Sequence, residues 1–170
     1  MLKLPCNQLD VGKVVCVERR FTPKFLRKMP SIGKSIYYHF GVVVGKNQIV
    51  HFSGDILKRV KLRLSSFQEF HSSFLSGLPI FEPATLSSDI EVYFHFPYRH
   101  SLEKIAERAI QRFEQARFRP YDLESNNCEH FASWCITGVE ISYQADWWLE
   151  NYPIGFRALC AALSFSGLVK

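Results

Sequence analysis

The N-terminal half of the chain carries the hydrophobic pattern of β-strands. Runs rich in β-branched and aromatic residues are bounded by glycine, proline or polar pairs, which predicts strands. Two of these runs are separated only by Lys46 and Asn47, which indicates a hairpin turn. The predicted strands are residues 12–17, 37–45, 48–52, 56–64 and 90–96.

The C-terminal half carries helical periodicity instead. Apolar residues recur three and four positions apart after Ser101, a predicted N-cap, and Pro120 ends the pattern, so a helix is predicted over residues 101–118. A second helix is predicted over residues 128–137, with Gly138 as its C-cap. The remaining predictions are a short helix over 67–76, a loop over 20–36 and a core or interfacial helix within 158–169. The mixture predicts one α+β domain over the whole chain, residues 1–170.

Composition narrows the class of protein. With 170 residues, of which 47% are hydrophobic, the chain can bury a core without cross-links. Five cysteines at irregular spacing argue against a disulfide framework, and the first residues lack the pattern of a signal peptide. An intracellular, reducing compartment is therefore expected. No run reaches the ~20 apolar residues that a membrane-spanning helix needs.

The net charge of +5 is concentrated in one stretch. Residues 19–34 contain six basic residues and no acidic one. Such a stretch forms either a solvated loop or a surface that meets phosphate, on lipid head groups or on nucleic acid.

Cys128 stands where a cysteine gains nucleophilic character. It follows Asn126 and Asn127, which are typical helix N-caps, and it opens the second predicted helix. The unpaired N–H groups and positive dipole end of a helix start favour thiolate over thiol. His39 and His51 lie in adjacent predicted strands and could supply a base and its orienting partner for covalent catalysis. The alternative is structural, with all three side chains as ordinary core residues.

The hairpin register decides whether the two histidines can meet. A two-residue loop at Lys46 and Asn47 would turn His39 and His51 to opposite faces of the sheet, because side chains alternate along a strand. An odd-length loop, or a bulge near Gly45, would place them on one face. Pairing centred on Gly45 would set them directly opposite each other. The residues alone leave these registers open.

A zinc site built from Cys128, His130, His39 and His51 is a competing interpretation. Cys128 and His130 are two positions apart on the predicted helix and do not share a face, and their spacing matches no common ligand pattern. No metal or other cofactor is therefore predicted. The helix dipole accounts for Glu129, and His130 is assigned a structural role.

Three segments resemble the lecithin:retinol acyltransferase (LRAT) family, also described as the NC domain, a permuted branch of the papain-like superfamily. The first two resemble the family's histidine strands, and the third closely resembles its cysteine block. They are YYHFGVVVG at 37–45, IVHF at 49–52, and YDLESNNCEHFA at 121–132, which WCITG at 134–138 follows. The resemblance covers about residues 10–138 and leaves 139–170 as a C-terminal extension.

The resemblance assigns roles by matching position. It implies that Cys128 is the nucleophile, that His39 is the general base, and that His51 orients and polarises His39. Tyr37 and Asn127 would contact the substrate or its oxyanion, with the backbone N–H of Cys128 as the natural oxyanion donor.

The resemblance also implies a fold and an activity. The fold is a circularly permuted papain-like domain with an antiparallel sheet packed against helices. The activity is acyl transfer or lipid hydrolysis through a thioester, with phospholipid acyl esters as donors. Peripheral membrane contact through residues 19–34 and the C-terminal apolar segment is expected, and no nucleic-acid partner is. The alternatives are a papain-like cysteine peptidase or amidase, and a catalytically silent lipid-binding or interaction module.

Overall fold

A six-stranded antiparallel sheet and five helices make up the described part of the computed structural model. The description covers residues 2–3, 9–21, 35–55, 58–72, 91–92, 96–115 and 120–165. The strands are β1 (Leu2–Lys3), β2 (Val14–Phe21), β3 (Ser35–Gly45), β4 (Gln48–Asp55), β5 (Lys58–Ser65) and β6 (Glu91–Val92). The helices are α1 (Phe67–Ser72), α2 (Leu102–Glu114), α3 (Cys128–Thr137), α4 (Tyr143–Asn151) and α5 (Pro153–Phe165).

The sheet order is β1-β6-β2-β3-β4-β5, and every neighbouring pair is antiparallel. This arrangement confirms the predicted α+β class with an antiparallel sheet packed against helices. Circular permutation of a papain-like fold stays a prediction.

The long strands confirm four of the five strand predictions and extend them. β2 and β3 pair continuously from Val14 opposite Val42 to Phe21 opposite Ser35, so the ends of the predicted loop 20–36 belong to strands. Residues 22–34, which include most of the basic stretch, lie outside the described residues. Of the predicted strand 90–96, the described strand is only β6, and Phe96 lies outside it.

The structure confirms the predicted starts of α1, α2 and α3. Ser101 caps α2 as predicted, its hydroxyl oxygen accepting from the Lys104 N–H at 3.3 Å, but the backbone is extended at Gln115, so α2 is shorter than predicted. α3 has the predicted bounds, with Gly138 left-handed at φ 88°. α1 ends at Ser72, and residues 73–76 of its predicted range lie outside the described residues.

Two helices lie in the described part of the C-terminal extension, where the sequence pattern predicts only one. α4 was missed because its nine residues mix aromatic and charged side chains without a clear apolar stripe. α5 begins earlier than predicted, at Pro153, because proline suits the first position of a helix. Within the described residues, no helix is both long enough and apolar enough to cross a bilayer.

The sheet separates two apolar clusters. On one face, residues such as Phe40, Val42 and Phe52 pack against α2 and α3 in the main core. On the other face, Val43 and Ile49 pack against α1 in a smaller cluster. Because side chains alternate along a strand, His39 and His51 belong to the α1 face.

The β3–β4 hairpin combines a two-residue turn with a bulge. The paired residues are Gly41 with His51, Val42 with Val50, Val43 with Ile49, and Gly45 with Gln48. The last step skips Val44, which is the extra residue of the bulge, and Asn47 turns the chain at φ 55°. The bulge turns His39 and His51 to one face of the sheet. A bulge near Gly45 was one of the alternatives that the sequence left open. They are diagonal neighbours rather than directly opposite, because His51 lies opposite Gly41.

Gly41 is required by close packing under this hairpin. A Cβ atom there would lie 2.5 Å from the Ile49 side chain, 2.9 Å from the Phe70 ring and 3.3 Å from the His51 Cβ.

Gly41→Ala should therefore lower the free energy of unfolding by about 1–3 kcal/mol through overpacking. Urea denaturation measures this loss. Gly155→Ala is the matched control, since a Cβ atom there meets nothing within 4 Å, and it should leave stability equal or raise it by up to about 1 kcal/mol. Equal stability of the two variants would contradict the packing argument.

Candidate active site at the start of helix α3

The N-cap of α3 fixes the position of Cys128. The Asn127 Oδ1 atom accepts from the backbone N–H groups of Glu129 at 2.8 Å and His130 at 3.1 Å. His130 Nδ1 accepts in return from the backbone N–H of Asn127 at 3.3 Å, which completes a capping box. Cys128 therefore occupies the first helical position, as predicted, and His130 has the structural role assigned to it.

The amide nitrogen of Asn127 is also engaged. Its Nδ2 atom donates to the carbonyl of Leu123 at 2.9 Å and to the hydroxyl of Ser142 at 3.0 Å. Both amide hydrogens therefore tie the helix start to its surroundings. An oxyanion role for the Asn127 side chain stays a prediction. Its hydrogen bonds in the structure are those of a helix cap.

The two histidines form a direct pair. His39 Nε2 and His51 Nδ1 lie 2.9 Å apart, within hydrogen-bond distance, and both side chains are buried. The ring of Phe70 on α1 stacks on His39 and meets His51 edge-on, with centroid distances of 5.2 and 5.1 Å. The hairpin register and α1 therefore fix the orientation of both imidazoles. Because Nε2 of His39 faces His51, a role of His39 as a base toward another group would fall to its Nδ1 atom.

The thiol of Cys128 lies at an open edge of β3. β4 pairs with β3 only from Gly41 onward. The backbone groups of Tyr38 and Phe40 point to that same edge of β3, at positions where β4 does not pair with them. The Cys128 Sγ atom lies 3.9 Å from the Tyr38 carbonyl oxygen, a distance at which the thiol can donate. The Phe40 N–H also acts on the sulfur and lowers its pKa. The sulfur thus contacts the backbone on both sides of His39.

Burial determines the protonation of this thiol. Desolvation raises the pKa of Cys128 to about 12, and the charge of Glu129 adds to the rise. The N–H groups of Phe40, Cys128 and Glu129 act in the opposite direction and lower this pKa. The expectation that the helix start yields a thiolate is therefore wrong for the buried site. The N–H groups favour the anion as expected, but desolvation outweighs them.

Tyr37 lies two residues before His39, on the same face of β3. Its side chain is half-buried, and its hydroxyl oxygen is fully buried. The structure thus places Tyr37 on the strand that carries the histidine. Its contact with substrate stays a prediction.

Three further residues of the site were not predicted from the sequence. These residues are Glu129, Ser142 and Gln144. The helix dipole alone would explain an acidic residue at position 129, yet Glu129 is buried and bonded to the other two. It accepts from Ser142 Oγ at 2.8 Å, from the Gln144 N–H at 3.0 Å and from Gln144 Nε2 at 3.3 Å. Ser142 could have been predicted from the sequence, because serine is a preferred N-cap residue. In the structure it caps α4, and its hydroxyl accepts from the Ala145 N–H. No local signal marks Gln144, since its partners are distant in the chain.

The competing zinc interpretation gains no support here. Among the described residues, no group of three or more histidine, cysteine or acidic side chains is arranged to hold a metal ion. The contacts of His39, His51 and His130 are instead those of a hydrogen-bonded pair and a helix cap.

Comparison with known proteins identifies relatives. The family model described as lecithin retinol acyltransferase matches residues 7–141. The rat lecithin retinol acyltransferase is 30% identical over 157 residues, which is 82% of this chain and 66% of the rat protein. The bovine protein is 33% identical over 132 residues, 70% of this chain and 57% of its own length. Egg-laying defective protein 26 of Caenorhabditis elegans is 26% identical over 125 residues, 63% of this chain and 36% of its own.

These matches have clear limits. The chain spans less than two thirds of the length of the lecithin retinol acyltransferases that it matches. No solved structure matches the chain. The family match nevertheless covers most of the chain and contains both histidine strands, the capped cysteine and α3. The chain therefore belongs to the lecithin retinol acyltransferase family.

Proposed function

We propose that this protein is a thiol-dependent acyltransferase that forms a thioester on Cys128. The observation that supports this most directly is the arrangement at β3. His39 is held by His51 through Nε2, and the sulfur of Cys128 contacts the backbone on both sides of His39. A nucleophile, a base and an orienting group are the parts that covalent acyl transfer requires. The family assignment supports the same reaction type.

The acylation half-reaction follows from these roles. His39 Nδ1 accepts the thiol proton as the sulfur attacks the carbonyl carbon of an acyl ester. The negative charge that develops on the carbonyl oxygen meets the backbone N–H of Cys128 at the start of α3. The ester C–O bond then breaks, His39 returns the proton to the leaving alcohol, and the acyl group remains on sulfur as a thioester.

The second half-reaction reverses the proton movements. An acceptor hydroxyl, amine or water loses its proton to His39 and attacks the thioester carbonyl, and the thiol of Cys128 recovers that proton as the C–S bond breaks. His51 keeps the His39 ring in one orientation and stabilises its charged form, as an orienting partner does in other triads. Both halves need a reduced thiol, in keeping with the intracellular compartment expected from the sequence.

We propose phospholipid acyl esters as the donors. The relatives' name refers to lecithin, a phospholipid, and to retinol, an alcohol. Exposed apolar side chains also occur on the two helices that follow α3. α4 places Gln144 against Tyr38 and, one turn later, leaves Trp147 49% exposed, and Ile154 at the start of α5 is 86% exposed. Exposed tryptophan and isoleucine side chains suit the interface of a lipid bilayer. The predicted contact through residues 19–34 lies almost entirely outside the described residues.

The resting site holds a neutral thiol in this proposal. With the pKa of Cys128 raised to about 12 by burial, little thiolate exists at neutral pH, and proton transfer to His39 accompanies attack. A peptidase or amidase would use the same groups on an amide carbonyl, and a silent binding module would use none of them. The three functions therefore differ in whether Cys128 is acylated and in which bond is cleaved.

The first prediction concerns the acyl adduct. After mixing with phosphatidylcholine vesicles or an activated fatty acyl ester, intact-mass measurement should find one acyl group on the protein, confined to the peptide that contains Cys128. Cys128→Ala should give no adduct and no turnover. Cys160→Ala removes a different thiol, which is partly exposed, and should keep both the adduct and the turnover. Full ester turnover by Cys128→Ala would contradict the proposal, and cleavage of peptide amides without an ester adduct would favour the peptidase.

The second prediction concerns the pH dependence of alkylation at Cys128. Because burial raises its pKa to about 12, the thiolate fraction should grow about tenfold per pH unit from pH 7 to pH 10, and the rate with iodoacetamide should follow it without a plateau. The urea-unfolded chain is the control and should level off near its ordinary pKa of about 8.5. Peptide-level mass spectrometry measures both rates. A plateau at neutral pH in the folded protein would indicate a preformed thiolate–imidazolium pair instead.

The third prediction concerns membrane contact. Ile154→Glu should weaken sedimentation with phosphatidylcholine vesicles at least about tenfold, because it removes apolar surface and adds a charge at the contact. Val139→Glu is the control, since Val139 is 51% exposed and follows the opposite end of α3 from Cys128. It should bind vesicles like the unmodified protein. Equal binding by all three proteins would exclude this surface.

A further inference from the structure

We propose that Gln144 is a positioning residue, whose side-chain amide replaces a neighbouring strand at the open edge of β3 and so holds His39 and Cys128 in register. The inference rests on the proposed function, because it assigns a role in the same reaction. Gln144 lies on α4, beyond residue 141 where the family match ends.

The amide of Gln144 pairs with the backbone of Tyr38 at two points. Its Oε1 atom accepts from the Tyr38 N–H at 2.6 Å, and its Nε2 atom donates to the Tyr38 carbonyl at 3.1 Å. A strand residue exchanges the same two bonds with its partner across an antiparallel ladder. Since the pairing with β4 begins only at Gly41, Gln144 supplies the bonds that β4 would otherwise make.

Only one orientation of this amide satisfies its partners. The Tyr38 N–H can only donate and the Tyr38 carbonyl can only accept, so the amide cannot be reversed without losing both bonds. Glu129 reinforces this orientation, because its Oε2 atom accepts from the same Nε2 atom at 3.3 Å and from the backbone N–H of Gln144 at 3.0 Å. The Gln144 side chain is therefore held by its neighbours before it acts on β3.

This contact connects the two halves of the reacting pair. Glu129 directly follows Cys128, and Tyr38 directly precedes His39. Gln144 bonds to both, and the Tyr38 carbonyl that it holds is also the group within reach of the Cys128 thiol. A shift of β3 relative to α3 would break these bonds together. Gln144 thus determines the distance between nucleophile and base without contacting the substrate.

Gln144→Met tests the inference, because methionine has a similar size and neither bonding atom. The rate of Cys128 acylation at saturating ester should fall about tenfold to a hundredfold, since misplacing reacting groups by about 1 Å has effects of this size. The ester concentration at half-maximal rate should change less than about twofold, because the substrate contacts remain. Alkylation of Cys128 by iodoacetamide should become at least about threefold faster, because the thiol loses its fixed acceptor and part of its burial.

Asn151→Leu is the matched control. It removes another α4 amide by a change to an apolar residue of similar size. Among the described residues, the partner of the Asn151 side chain is the Trp147 carbonyl, at 2.8 Å, on the exposed side of the helix. Acylation and alkylation should both keep their rates, and thermal unfolding reports any loss of folding in either variant.

Gln144→Glu separates positioning from simple loss of packing. Its carboxylate cannot donate to the Tyr38 carbonyl and lies against the buried Glu129, whereas the protonated acid can donate again. The acylation rate of this variant, divided by that of the unmodified protein at each pH, should rise at least about threefold from pH 8 to pH 6. The division removes the pH dependence that the two proteins have in common. The same ratio for Gln144→Met should stay flat.

The outcomes distinguish this inference from the proposed function. If the unmodified protein forms no acyl adduct, the proposed function fails, and the alkylation rates alone decide the role of Gln144. Alkylation of Cys128 at an unchanged rate in Gln144→Met would then overturn the inference. If the adduct forms, acylation within twofold of normal in Gln144→Met, or a flat pH ratio in Gln144→Glu, would overturn it.

Discussion

The extra residue at Val44 in the β3–β4 hairpin is the constraint on which the site depends. Without it, the two-residue turn at Lys46 and Asn47 would send the two histidines to opposite faces of the sheet. With it, the imidazoles of His39 and His51 approach to 2.9 Å. Gly41 makes the arrangement possible, because any side chain there would collide with Ile49 and Phe70.

The thiol is governed by a competition between two physical effects. The start of α3 supplies N–H groups that favour the anion, and burial in the same place disfavours it more strongly. The result is a buried thiol that keeps its proton until a base can take it. In the proposed reaction, the reactivity of Cys128 would depend on the position of His39, and therefore on how β3 and α3 are held relative to each other.

That geometry depends on the C-terminal extension as well as on the region of the family match. α4 begins with Ser142, whose hydroxyl donates to Glu129 and accepts from Asn127. Gln144 then continues the network to the backbone of Tyr38. A buried polar network of this kind is specific only when each member is satisfied, and here the bonds join the neighbouring helices α3 and α4 to the distant strand β3.

The sequence by itself determined the strands 37–45 and 48–52 and the capped start and glycine end of α3, and it supplied the candidate catalytic residues, because these signals are local. It left open the hairpin register, where a turn and a bulge compete over a few residues. It also gave the wrong protonation for Cys128 and missed Gln144. Only the tertiary structure decided these points, since burial and contacts between α4 and β3 arise from residues about a hundred positions apart.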